Sequence, residues 1–143
     1  MIKKLFVSIA GAVLLAGATQ VVAHHSTANY DYTKTVVLKG KLKSFQWTNP
    51  HCFLQIEVPD GKGGTTEWSV ESGSPGLVRR LGWKPEYFNK GDTLTAIVAP
   101  IRSKETKGTL KSVTLANGKV LYGPGNQGAL PADLGLPTLE KAK

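Results

Sequence analysis

The chain has 143 residues, with 18 Lys and Arg against 10 Asp and Glu, for a formal net charge of +8. That length supports one domain. The single cysteine, Cys52, excludes an internal disulfide, so stability must come from the core alone.

The N-terminus reads as three parts. "MIKK" is positive, "LFVSIAGAVLLAGA" is an uncharged apolar run, and "TQVVA" ends with small residues at Val21 and Ala23. This is the pattern of a secretory signal peptide over residues 1–23. The run falls short of the roughly 20 apolar residues that span a bilayer. No cysteine follows it for lipidation, and no twin Arg precedes it. The expectation is export to the periplasm or beyond, with no membrane span after processing.

Cleavage after Ala23 leaves 143 − 23 = 120 residues and makes His24 the first. The pair His24-His25 then stands at a free amino terminus rather than inside a chain. The new α-amine has a reference pKa of about 7.7, so it can yield its proton to a metal near neutral pH. Loss of Lys3 and Lys4 lowers the net charge from +8 to +6. The remaining excess is spread out, which suits an anionic surface or ligand. A nucleic-acid role does not fit an exported protein.

Residues 24–34 form an N-terminal arm. "TVVLKGKLKSFQW" (35–47) alternates as a long strand, with Val36, Leu38 and Leu42 on one parity and Phe45 and Trp47 on the other. The change of parity predicts a β-bulge near Ser44. Lys39, Lys41 and Lys43 make a solvated face. "HCFLQIEV" (51–58) is a second strand, with Cys52, Leu54, Ile56 and Val58 inward and His51, Phe53, Gln55 and Glu57 outward. "PDGKGG" turns the chain into "TTEWSVE" (65–71), with Trp68 and Val70 inward.

Ser74 fits an N-cap, Pro75 a first helical residue and Gly82 a stop, for a helix of about two turns. "KPEYFNKGD" is an irregular connection. "TLTAIVAPI" (93–101) and "GTLKSVTLA" (108–116) are further strands, and "NGKVLYG" carries an Asn-Gly hairpin signal. The Pro- and Gly-rich residues 123–143 read as an extended or mobile tail. Five strands with a short helix between the third and fourth predict an all-β, five-stranded OB-fold-like barrel over residues 35–122. An open sandwich of the same strands is the alternative.

The motifs Ala23-His24-His25-Ser26, Trp47-Thr48-Asn49-Pro50-His51, Trp68-Ser69-Val70-Glu71, Ser74-Pro75 and Gly82-Trp83 together resemble a family of small exported bacterial proteins of uncharacterised function. The resemblance spans roughly residues 23–122. It implies an exported OB-like layout and no established activity.

All three histidines fall in the two most distinctive of these motifs. His51 follows Pro50, whose ring fixes its own φ and holds Asn49 extended. His51 thus stands at the start of a strand, a firm mount for a metal ligand. The His24 amine, the His24 imidazole and His51 would supply three nitrogens, the donor set of a histidine brace. Such a set suits copper as Cu(II). His25 could replace His24, because an amine, an amide and a second-position imidazole also chelate copper. Glu71 is a candidate further ligand or an acceptor behind one.

Each feature also has a plainer reading. The histidine pair can be an exposed tail with weak metal affinity. His51 can cap its loop by bonding Asn49 or a carbonyl, and Glu71 can pair with a lysine. Cys52 reads as a buried core thiol. Trp47, Trp68 and Trp83 read as packing, and Arg79 and Arg80 as the solvated helix face. No Ser-His-Asp set, paired-carboxylate motif or Gly-rich phosphate loop is present. The expectation is therefore an exported metal-binding protein and not an enzyme, with copper held by His24, His25, His51 and Glu71. The alternative is an exported module that binds a small ligand, a glycan or a protein partner, with structural histidines.

Overall fold

The computed structural model of the protein describes residues 29–123. The expected signal peptide, residues 24–28 of the expected arm with His24 and His25, and residues 124–143 of the expected tail lie outside the described residues.

Six strands run in chain order: β1 (Val36–Gln46), β2 (Phe53–Pro59), β3 (Thr65–Glu71), β4 (Thr93–Pro100), β5 (Lys107–Leu115) and β6 (Val120–Tyr122). One helix, α1 (Pro75–Arg80), and a 3₁₀ turn (Pro85–Tyr87) lie between β3 and β4. The sheet order is β3-β2-β1-β4-β5-β6, and a β3–β5 pairing closes the first five strands into a barrel. That closing pairing is parallel, while the others are antiparallel. The five-stranded OB-like barrel expected from the sequence is therefore present, and the short β6 is added at its edge.

β1 is long because it serves two partners. Its first half pairs with β4 (Val36 opposite Val98 to Lys41 opposite Thr93), and its second half pairs with β2. Leu42 faces Ile56 and Ser44 faces Gln55, so Lys43 is the additional residue of a bulge. The bulge moves the inward parity from Leu38 and Leu42 to Phe45 and bends the strand around the barrel. Gly40 sits at the crossing, where a Cβ would stand 2.2 Å from the Glu57 carbonyl oxygen.

A second bulge lies in β5, where the sequence predicts an unbroken strand. Ile97 faces Ser112 and Val98 faces Leu110, which leaves Lys111 of β5 unpaired in the β4 ladder.

The core is built from the expected parities. Leu38, Leu42, Cys52, Leu54, Ile56 and Val70 are buried, joined by Ala96, Val98, Leu110 and Val113. Val58 and Trp68 are only half-buried and pack against this core from its edge. The helix starts as expected: the Ser74 hydroxyl accepts from the Leu77 amide at 3.3 Å, with Pro75 next. It stops at Leu81, after which Gly82 takes a φ of +86°. Beyond it Trp83 is buried, stacks on Phe88 with centroids 5.1 Å apart, and donates from Nε1 to the Tyr122 carbonyl at 2.9 Å. Trp83 thus belongs to the core, while Trp47 sits half-buried under the Arg79 guanidinium, 5.7 Å from its ring.

The Asn-Gly turn differs in detail from a two-residue hairpin. The Leu115 amide bonds to the Lys119 carbonyl, and only Gly118 takes positive φ. The loop is Ala116-Asn117-Gly118, the three-residue form with glycine in the left-handed position. No helix among the described residues is long and apolar enough to cross a membrane.

Candidate functional site at the start of β2

His51 precedes β2 and shares the outward face with Phe53, whose partner across the ladder is Glu71 at the end of β3. This puts His51 on the diagonal from Glu71, within reach of its carboxylate. Cys52 turns inward between them. Its backbone extends the ladder, with the Cys52 amide on the Gly73 carbonyl at 2.9 Å and the Ser72 amide on the Cys52 carbonyl at 2.8 Å. The strand alternation that buries Cys52 is what turns His51 outward. Burial raises the Cys52 thiol pKa above its ordinary value.

His51 Nδ1 lies 2.6 Å from Glu71 Oε1. The other oxygen, Oε2, accepts from the Tyr30 hydroxyl at 2.5 Å. Both carboxylate oxygens are thus engaged. Glu71 is 16% exposed in its side chain and His51 is 38% exposed, so the carboxylate is sheltered while the imidazole reaches solvent. When the ring is neutral, the bond to Glu71 places its proton on Nδ1 and leaves the Nε2 lone pair free. Burial, and then the bond to Glu71, raise the Tyr30 pKa, so its hydroxyl stays protonated and donates.

Among the described residues the partners differ from those of the plain readings: Glu71 pairs with a histidine and a tyrosine rather than a lysine, and His51 bonds a carboxylate rather than Asn49 or a carbonyl.

Tyr30 is a site residue that the sequence did not single out. It comes from the described part of the arm, residues 29–34, which is docked. The Asp31 amide bonds to the Pro100 carbonyl at 2.8 Å and the Arg102 amide to the Asn29 carbonyl at 2.9 Å, on either side of a Tyr30–Ile101 bridge. The bulged Lys111 completes the attachment. Its ammonium donates to the Tyr32 carbonyl at 3.3 Å, the Lys34 carbonyl at 3.0 Å and Thr35 Oγ1 at 2.9 Å. Asp31 accepts from the Thr33 hydroxyl at 2.6 Å and pairs with Lys34 at 3.1 Å. Those bonds, Thr33 first, hold the Asp31 carboxyl at a pKa of about 2.

Among the described residues no three His, Cys, Asp or Glu side chains are grouped to hold a metal. His51 and Glu71 are together, whereas His24 and His25 fall outside the described residues.

A family model described as "Family of unknown function (DUF6152)" matches residues 12–112. The chain belongs to this family. No curated protein matches it. Among solved structures, it is similar to the mitochondrial single-stranded DNA binding protein Rim1 of S. cerevisiae, in two crystal structures. One gives 15% identity and a TM-score of 0.46, covering 58% of this chain and 93% of that one. The other gives 16% identity and a TM-score of 0.42, covering 57% and 92%.

Proposed function

We propose that this DUF6152 chain is exported, loses residues 1–23, and binds copper through its new N-terminus and His51. In this reading the His24 amine and imidazole, with His25 as the substitute imidazole, join Nε2 of His51. Glu71 serves behind the metal as the acceptor that orients His51, not as a direct ligand, because both its oxygens are already engaged.

The observation that carries the reading is the His51–Glu71 bond. A histidine that ligates a metal through one nitrogen characteristically donates the other ring N–H to a carboxylate, which fixes the tautomer and raises ligand basicity. Docking of the arm gives further support. Tyr30 touches the same carboxylate, and His24 is six residues before it in the chain. Six residues span up to roughly 20 Å. The Tyr30 ring and one carboxylate bridge a shorter distance, so an N-terminus at His24 has enough chain to reach Nε2. Nitrogen donors and the affinity order of the divalent metals favour copper. The role is binding, not catalysis.

Intact mass and metal content of the exported chain test this together. The expected result is a chain beginning at His24 that carries about one copper ion. Retention of residues 1–23, or a chain starting two or more residues away from His24, would remove the amine from the site and refute the reading.

A second reading, a module that binds a small ligand, is supported by a crevice beside Trp68.

A further inference from the structure

Between the docked arm and the β4–β5 connection lies a crevice of about 240 Å³. Trp68 of β3 forms one wall, and Asp31, Lys34, Arg102, Lys104 and Glu105 are among the residues that line the rest. The two acids in it are already engaged. Asp31 is bonded to Thr33 and Lys34, and Glu105 forms a close ion pair with Lys107 and accepts from the Ser103 hydroxyl at 3.0 Å.

The cations are less committed. Arg102 stands 3.9 Å from Asp31, too far for a hydrogen bond, and among the described residues its guanidinium has no closer acidic partner. Lys104 makes no ion pair with a described residue. It is also the one non-glycine residue among those described with positive φ, at 63°. A left-handed lysine costs backbone energy that glycine would avoid, and such strain collects at ligand sites.

We propose that this crevice binds a small carboxylate carried on a ring with an apolar face. The ring lies against the half-buried Trp68 indole, and the carboxylate takes the planar fork of Arg102 with Lys104 beside it. The volume admits one ring and its substituents, not a polymer. Aromatic acids and sugar acids share this chemistry. The site uses neither His51 nor Glu71, so it stands or falls apart from the copper reading.

The test is titration of benzoate and of glucuronate into the processed chain, with a metal chelator present, followed by calorimetry and tryptophan fluorescence. Acetate, benzamide and glucose are the controls. Saturable binding of benzoate, glucuronate or both is expected, and the one that binds identifies the source. Acetate and the neutral rings should bind at least about tenfold more weakly. Arg102→Gln and Trp68→Leu should each lower affinity by about tenfold. Lys104→Gly should lower affinity while raising the melting temperature, because it removes the charge and the strain together. The proposal is overturned if neither acid saturates, if acetate binds as well as both, or if Lys104→Gly raises the melting temperature and leaves affinity unchanged.

Discussion

Glu71 holds the imidazole of His51, with Oε1 2.6 Å from Nδ1, and the same carboxylate takes the Tyr30 hydroxyl on its other oxygen. One side chain at the end of β3 therefore connects the start of β2 to the N-terminal arm. Glu71→Ala should remove both contacts. Copper affinity should fall by about 10- to 100-fold, the usual cost of losing a partner behind a ligating histidine. Stability without metal should fall by about 1–3 kcal/mol, since the half-buried Tyr30 hydroxyl loses its acceptor. Chelator competition and denaturant melts measure the two effects separately.

Lys111→Met should loosen the arm without touching the barrel core. The methionine keeps much of the stem but cannot donate to Tyr32, Lys34 and Thr35. A loss of about 1 kcal/mol is expected for these part-exposed bonds. Hydrogen exchange should speed up at the Asp31 and Arg102 amides, which tie the arm to β4 and its following loop, while Leu54 and Ile56 stay protected. Equal acceleration throughout would mean that Lys111 supports the whole barrel.

Acid should loosen the turn within the same arm. The Asp31 carboxyl is held at a pKa of about 2 in the fold, below its ordinary value near 3.9 in an unfolded chain. A depressed carboxyl adds stability that is complete above the unfolded value and lost as pH falls toward the folded one. The Asp31–Lys34 turn of the arm should therefore weaken between about pH 4 and pH 2, and Asp31→Asn should flatten that part of the profile. Exchange of the Thr33 amide, which donates to the Asp31 carboxylate, reads this directly against pH.

Much of this was legible from the chain. Strict alternation in "HCFLQIEV" identifies which side of β2 is buried and turns His51 outward. The parity change between Leu42 and Phe45 located the first bulge. Ser74, Pro75 and Gly82 marked the helix because each does a job that few other residues do at a helix end. The Tyr30–Glu71 contact was not legible, because it joins residues 41 apart through a carboxylate whose partners depend on barrel closure. Lys111 is different. In "GTLKSVTLA" Leu110 and Val113 fall on opposite parities, the same signal that located the first bulge, although the strand is expected as continuous. Pairing with β4 makes Lys111 the extra residue.

Cys52 should prove chemically quiet. It is fully buried, and burial raises its thiol pKa, so little thiolate forms at neutral pH. Thiol reagents should label it only on unfolding. Cys52→Ser should destabilise by about 1–3 kcal/mol by burying a hydroxyl among apolar side chains. Cys52→Ala should bind copper like the parent, and a large loss of affinity there would put the thiol in the site.

The central claim is that a free amine at His24 acts with His51. It is tested most directly by the Cu(II) affinity, under competition from a strong chelator near pH 7.5, of the chain beginning at His24 and of the same chain with its α-amine acetylated. Acetylation keeps all three imidazoles and removes only the amine as a donor. The account predicts that affinity falls by at least about tenfold in the acetylated chain. Equal affinity in the two chains would contradict it and leave the histidine pair as an exposed tail.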